Sequence, residues 1–369
     1  MTSIISPDSL VEDLRKLVIS MAAGARLPTV RQLMSDYQVS QHFVQSALAQ
    51  LRSEGVIASH VGRGTFVTPG PAQAASTKGR TVLTLVHDSP YERSDAIASL
   101  LHRALMERGC DSMVLTYSQS SQVMDMLRGG RRFDACIVQP RTSTLRSSML
   151  AQLRDLSEVV IIEGQAADGL DVDAISNDPG TCVELALRHL IPLEHERIAW
   201  VSEQNNQNFF KLCVRAFDLA RNLLAQDAAS MPSVYLPPNL AERKVEALVD
   251  ALRPLFAGGR TKSPTAVVIS SFLDGGTVLK AFDRLGLSVP ADVSVIKVGT
   301  PDMESDHVGR LAIVGRPTYQ VTDAVLARLE WRWARQGQPC QTIFDQPILQ
   351  PFSSTAAVTS GPGRRRPSG

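Results

Sequence analysis

The sequence predicts a small α+β domain of three helices and a β-hairpin, followed by an α/β body whose two lobes are each built on a parallel sheet. Two observations predict it. Helical periodicity ending in a glycine-tipped hairpin is confined to the first seventy residues or so, and from Thr81 onward short β-rich apolar runs alternate with helical stretches. Between them Pro69-Gly70-Pro71-Ala72-Gln73-Ala74-Ala75-Ser76-Thr77-Lys78-Gly79 has no apolar period and has the composition of a tether.

The first helix starts at Ser6-Pro7, a cap followed by a first-turn proline, and carries Leu10, Leu14, Leu17, Val18 and Met21 on one face. Thr29 followed by Gln32 is a capping-box pattern that starts the second. After a tight turn at Gln38-Val39, Ser40 caps a third helix whose Val44, Ala47, Leu48 and Leu51 share a face and pack inward with Leu33. Gln41, His42, Gln45 and Ser46 are left facing outward. A hairpin tipped by Gly62-Arg63-Gly64 follows. Helix, turn, helix and basic hairpin are the parts of a winged helix-turn-helix, which offers the start of its second helix to the DNA major groove and its hairpin to the neighbouring backbone or minor groove.

These residues resemble the GntR-type winged helix at four linked blocks. They are Leu27-Pro28-Thr29-Val30-Arg31, Val39-Ser40 with Val44, Leu51 to Gly55, and Gly62-Arg63-Gly64-Thr65-Phe66-Val67. The resemblance implies a DNA-binding set of Thr29, Arg31, Ser40, Gln41, His42, Gln45, Ser46, His60, Gly62, Arg63, Gly64 and Thr65, with Arg31 and Arg63 on phosphates and His60 to Gly64 as the wing. Two positions depart from the pattern: Gln41 and Gln45 stand where basic residues are common. Glutamine pairs with adenine where arginine favours guanine, which shifts base preference. Arg15, Lys16, Arg26, Arg31, Arg52 and Arg63 are nearly balanced by Asp8, Glu12, Asp13, Asp36 and Glu54, so non-specific DNA affinity is modest and a homodimer is expected to hold a site.

At 369 residues, 44% hydrophobic and 20% charged, with a formal charge of +1, the chain has the composition of a globular protein of two or three domains. The expected division is 1–68 for the winged helix, 69–80 for the linker, 81–353 for an effector-binding and dimerisation body, and 354–369 for a disordered basic tail. No apolar run approaches the roughly 20 residues that span a bilayer, and the N-terminus lacks the order of a signal peptide, so a cytoplasmic, nucleoid-associated protein with no membrane partner is expected. The five cysteines, Cys110, Cys136, Cys182, Cys213 and Cys340, are scattered without a Cys-x-x-Cys pair and read as reduced, mostly buried thiols.

In the body, strands are expected at Val82 to Val86, Met113 to Tyr117, Ala135 to Val138, Val159 to Ile162, Ile198 to Val201, Val234 to Leu236, Ala266 to Ser270 and Val293 to Val298. Helices are expected at Asp95 to Arg108, Thr181 to Leu190, Phe209 to Leu224, Ala241 to Phe256 and Thr277 to Leu285. So many strands suggest two sheets, and ligands of such folds sit at the carboxyl ends of the strands. Residues at those ends or in cleft-facing loops are Asp88, Tyr91, Arg141, Glu163, Asp178, Asn206, Phe272 and Asp274. Asp178 could equally cap the helix after Pro179-Gly180, Asp88 could only make a turn, and Tyr91 and Phe272 serve either as platforms for a ring or as packing.

Ser176-Asn177-Asp178, Leu187-Arg188-His189-Leu190, Glu196-Arg197-Ile198-Ala199 and Leu285 to Val295 resemble the LacI-type effector domain related to periplasmic sugar-binding proteins, over about 270 residues from Thr81. The resemblance implies a periplasmic-binding-protein-like body in which a small molecule alters lobe closure. A GntR-type reader on a LacI-type body is a combination known among bacterial regulators. Aligned on Leu285-Gly286-Leu287, the aspartate that holds a sugar hydroxyl falls at Phe272, the arginine of an Arg-x-x-Gly-Phe block falls at Cys213, and an acidic pair is replaced by Gly299-Thr300. Either the ligand is no ordinary aldose or the pocket is vestigial.

The sequence holds no Gly-x-Ser-x-Gly elbow, phosphate-binding loop, dinucleotide fingerprint or His-Glu-x-x-His motif, and its seven histidines lack ligand spacing. No enzyme, cofactor or metal is therefore expected. The reading is a bacterial transcription regulator, by family leaning a repressor, that binds a palindromic double-stranded operator as a dimer and responds to a small, carbohydrate-like effector. The alternative is a DNA-binding regulator whose body serves only dimerisation or partner binding.

Overall fold

The computed structural model describes residues 7–21, 25–53, 56–60, 64–67, 77–88, 92–140, 145–167, 169–204, 208–224, 228–237, 243–259, 261–335 and 337–358. The chain divides into two compact units, one of Met1–Ser76 with Glu330–Gln336 and one of Thr77–Leu329 with Gly337–Gly369. The expected linker 69–80 lies outside the described residues up to Ser76.

The first unit holds α1 (Pro7–Ser20), α2 (Val30–Tyr37), α3 (Gln41–Ser53) and an antiparallel hairpin of β1 (Ile57–His60) and β2 (Gly64–Val67). Leu10, Leu14, Val18, Leu27, Leu33, Val44, Ala47, Leu48, Leu51, Ile57 and Val67 form one core. Apart from Leu27, in the segment before α2, these are the periodic positions of each helix plus one inward residue of each strand, so burial of the predicted faces drives the arrangement. The segment before α2 is tied to the hairpin, because Leu27 N–H donates to the Thr65 carbonyl at 2.7 Å and Val67 N–H to that of Ala25 at 2.9 Å.

The second unit contains two six-stranded sheets. The first lobe runs β3 (Thr81–His87), α4 (Glu92–Glu107), β4 (Asp111–Tyr117), α5 (Ser120–Leu127), β5 (Phe133–Gln139), α6 (Ser147–Leu156), β6 (Ser157–Glu163) and β7 (Asp173–Asn177). The second runs α7 (Pro179–Leu190), β8 (Ile198–Glu203), α8 (Asn208–Leu224), β9 (Ser233–Leu236), α9 (Lys244–Phe256), β10 (Ala266–Ser270), α10 (Gly275–Arg284), β11 (Ser294–Val298), α11 (Glu304–His307) and β12 (Ala312–Gly315). After α12 (Thr318–Ala334), β13 (Thr342–Asp345) returns to the first sheet and β14 (Ile348–Gln350) to the second. The strand orders are β13-β7-β6-β5-β3-β4 and β14-β12-β11-β10-β8-β9, with every pairing parallel except β12 with β14.

Both faces of the second sheet are buried. Trp200, Val268, Ile296 and Val314 pack beneath α7 and α8, while Ala199, Val267, Val295 and Ile313 pack beneath α9 and α10. That explains the uninterrupted apolar runs, since a parallel sheet covered by helices on both sides has no wet face.

The structure adds strands that the sequence pattern does not show, β7, β12, β13 and β14. Each is five residues or fewer, and β13 and β14 are part-exposed sheet edges. The expected tail from 354 starts too early. Ser354 is buried, its hydroxyl donating to the Val295 carbonyl at 2.6 Å and accepting from Ala312 N–H at 2.7 Å, and Val358 N–H donates to the Leu193 carbonyl at 2.9 Å. These bonds tie the chain after β14 to the starts of the interior strands β11 and β12 and to the turn that follows α7; residues 359–369 lie outside the described ones.

Candidate functional site

In the first unit, the capping box forms as its residues require. Thr29 Oγ1 accepts from Gln32 N–H at 3.3 Å, and Thr29 N–H donates to Gln32 Oε1 at 2.8 Å. The α2–α3 turn depends on Gln38 in the left-handed region (φ 53°), where its side-chain amide donates to the Ser35 carbonyl at 2.7 Å. With Val44, Ala47, Leu48 and Leu51 buried, Gln41, Gln45 and Ser46 are exposed on α3, as are Thr29 and Arg31 at the start of α2 and Ser40 just before α3. Gly64 and Thr65 open β2. Gly62, Arg63 and the side chains of His42 and His60 lie outside the described residues.

In the second unit the chain passes between the lobes three times, after β7, β12 and β13. Arg316, the residue after β12, has a fully buried side chain that reaches all three passages. Its Nε donates to Oδ1 of Asn177, the last residue of β7, and its Nη1 meets Oδ2 of Asp345, the last residue of β13, at 3.3 Å. Its Nη2 lies 3.5 Å from Oε1 of Glu163, at the end of β6. Glu163 also accepts from Arg93 Nη2 at 2.9 Å and from the amide of Gln139, at the end of β5, at 3.2 Å. Burial pushes the Glu163 carboxyl up, but Arg93 and Arg316 outweigh it and hold it below the usual carboxylate range. One guanidinium thus fastens every crossing point, and α12 is pinned separately by the buried pair of Arg328 with Asp173 on β7.

The other strand-end residues divide. Asp178 caps α7, accepting from the N–H of Gly180 at 2.9 Å and of Thr181 at 3.2 Å. Asp274 caps α10, accepting from Thr277 N–H at 2.8 Å and its hydroxyl at 2.7 Å. Partial burial raises the Asp274 carboxyl, but the Thr277 hydrogen bonds take it below its ordinary value. Asp88 is exposed and accepts from the Ser118 hydroxyl at 3.3 Å. Half-buried Phe272 stands edge-on to Phe210, ring centroids 5.0 Å apart, and its N–H donates to Glu203 Oε2 at 3.0 Å. Tyr91, Arg141 and Asn206 lie outside the described residues.

On β11, which pairs with β10, Lys297 is buried and donates to Asp306 Oδ1 at 2.6 Å, while Asp306 Oδ2 accepts from Thr300 N–H at 2.6 Å. Gly299 makes this possible, since a Cβ there would stand 2.6 Å from Lys297 Nζ and 2.7 Å from Asp306 Oδ2. Among the described residues no cluster of histidine, cysteine or acidic side chains could hold a metal, and no helix is long and apolar enough to cross a membrane. The cysteines are free; burial pushes the thiols of Cys136 and Cys182 up to about 11 and about 12, which suppresses thiolate chemistry.

Residues 8–67 match the family described as bacterial regulatory proteins, gntR family. Residues 80–217 match the periplasmic binding proteins and sugar binding domain of LacI family, and residues 187–347 a periplasmic binding protein-like domain. The chain is a GntR-type regulatory domain fused to a LacI-type body. It is 24% identical over 303 residues, 78% of this chain and 80% of the other, to the arabinose metabolism transcriptional repressor of Geobacillus stearothermophilus. A LacI transcriptional regulator from a Rhodococcus species superposes with a TM-score of 0.60 at 21% identity, covering 76% of this chain and 99% of that one. A LacI family transcriptional regulator from Enterococcus faecium with bound ribose gives 0.59 at 16%, covering 76% and 100%.

This GntR–LacI-type regulator therefore carries a winged helix-turn-helix ahead of a two-lobed parallel-sheet body. Sequence reasoning missed Arg93, Gln139, Asn177, Arg316 and Asp345 as one constellation, the contacts of Phe272 with Glu203 and Phe210, and the pair of Lys297 with Asp306. The available signals were a charged residue directly after an apolar run at Arg316-Pro317 and a lysine inside the β-rich run Ser294 to Val298.

Proposed function

We propose that this regulator is a repressor that binds a palindromic operator as a homodimer and releases or grips it in response to a small molecule held between the lobes. The observation that carries the proposal is the exposed polar row Gln41, Gln45 and Ser46 on α3, set over a complete helix-turn-helix core. A two-fold dimer presents two such helices to half-sites about one helical turn, or a multiple of it, apart. Arg31 and Arg63 serve phosphates, and Gln41, His42, Gln45 and Ser46 serve base edges.

The effector reading is supported by the three lobe crossings and by the kind of molecule named for its relatives: arabinose metabolism for one, bound ribose for another. Phe272 and Gly299-Thr300 replace polar anchors, so the ligand presents an apolar ring face to Phe272 as well as hydroxyls. The reading in which the body only dimerises is favoured by the Arg316 clamp and by the use of Asp178 and Asp274 as helix caps.

The test is a thermal-shift screen of monosaccharides, sugar acids and glycosides, followed by operator titration with each hit. An effector changes operator affinity, and the operator changes effector affinity by the same factor. Hits that bind without moving operator affinity, or no hits at all, would leave the dimerisation reading.

A further inference from the structure

The reading face of α3 carries no lysine or arginine between Ser40 and Leu51; the first is Arg52, in the last turn. Arginine or lysine on guanine is the commonest base-specific contact in the major groove, and this helix start has neither. It has instead Gln41, Phe43 and Gln45, all exposed, with the Phe43 side chain 38% exposed on the first turn. Its neighbour Val44 is fully buried, so Phe43 has not been turned outward by a slipped helix register. A single exposed aromatic is ordinary on a protein surface. What distinguishes this one is its place on the first turn of the helix whose start enters the groove, on the flank of the exposed arc opposite to the one that Gln41 and Gln45 share. Glutamine pairs with the N6 and N7 edge of adenine, and apolar side chains meet the C5-methyl of thymine. Both chemistries select an A·T pair, each at its own base step.

We propose that Phe43 reads the C5-methyl group of a thymine, and that the base steps facing α3 are A·T pairs. This rests on the reading of α3 as the recognition helix. Covering one methyl group gives about fourfold in affinity per half-site, about 0.8 kcal/mol, and about fifteenfold across two half-sites.

The experiment uses the full chain and the operator recovered by selection from random duplex DNA. Thymines are replaced one at a time by deoxyuridine, which removes only the methyl, and dissociation constants are measured by fluorescence anisotropy at fixed salt. The wild type should lose about fourfold at one thymine in each half-site. Phe43→Ala should bind thymine and uracil probes equally, and Phe43→Leu should keep part of the preference; circular dichroism confirms that both variants fold. Specific binding with no uracil effect at any position, or a uracil effect that persists in Phe43→Ala, overturns the assignment to Phe43 and leaves the regulator reading standing. Failure to recover any specific site overturns both.

Discussion

Replacing Arg316 by methionine keeps the stem's volume and removes the guanidinium that joins the three lobe crossings. Glu163 would keep Arg93 and Gln139, but Asn177 Oδ1 and Asp345 would lose their donor, and a carboxylate only 2% exposed would lose one of its two cations. Removing one partner of a buried ion pair costs about 3 to 5 kcal/mol. The retained Arg93 places Arg316→Met near the lower end, about 3 kcal/mol, measured by urea unfolding at pH 7 with tryptophan fluorescence. The pH dependence follows from the sign of the Glu163 shift. Its folded-state carboxyl lies below the ordinary value, so it contributes stability above the unfolded pKa of about 4.3 that is lost as pH falls through the folded value. With Arg316 gone the carboxyl loses one of the two charges that hold it down and rises from its wild-type position, so the variant's deficit is full at pH 7 and shrinks as protonation discharges Glu163. Adding Glu163→Gln to Arg316→Met should recover about 1 kcal/mol or more of the deficit. A loss under about 1 kcal/mol, or strict additivity in the double variant, would refute the clamp.

Gly315→Ala would set a methyl 1.7 Å from the Gly299 carbonyl oxygen and force β11 and β12 apart, so a loss of about 3 kcal/mol is expected in the same assay. Burial lowers the pKa of His195, whose ring nitrogens bond the Thr265 hydroxyl at 2.9 Å and the Ala356 carbonyl at 3.0 Å. Protonation is therefore favoured in the unfolded chain, stability falls as pH drops below about 6.5, and His195→Gln should flatten that slope in melting curves. Thr29→Ala breaks the capping box and should cost the first unit about 1 kcal/mol, read from hydrogen exchange of the α2 amides.

Local chemistry was legible and distant chemistry was not. Thr29 with Gln32 and the Val44, Ala47, Leu48, Leu51 face are written within one or two helical turns, and the structure forms both. The central strands announce themselves because burial on both faces demands an apolar run, whereas Thr342–Asp345 and Ile348–Gln350 are short edges with too few buried residues to stand out. Arg316 meets Asn177 across 139 residues of sequence, and no local pattern encodes such a partner. The strand-end rule named Glu163 correctly as a terminal residue of its strand but could not separate it from Asp178 and Asp274, whose carboxylates are taken by the first turns of α7 and α10. Ser354 to Val358 look like a tail by composition, and their hydrogen bonds to the second sheet depend on fold partners far away in the chain.

The central claim, sequence-specific DNA reading by α3, is tested most directly by selecting bound sequences from random duplex DNA with the wild-type chain, Arg31→Ala and Gln45→Ala at two salt concentrations. The account predicts an enriched inverted repeat whose binding weakens with salt. Arg31→Ala should weaken binding across sequences and reduce the salt slope, while Gln45→Ala should relax preference at one base pair per half-site by about 1 to 3 kcal/mol. Weak, salt-sensitive binding without any enriched sequence would contradict it.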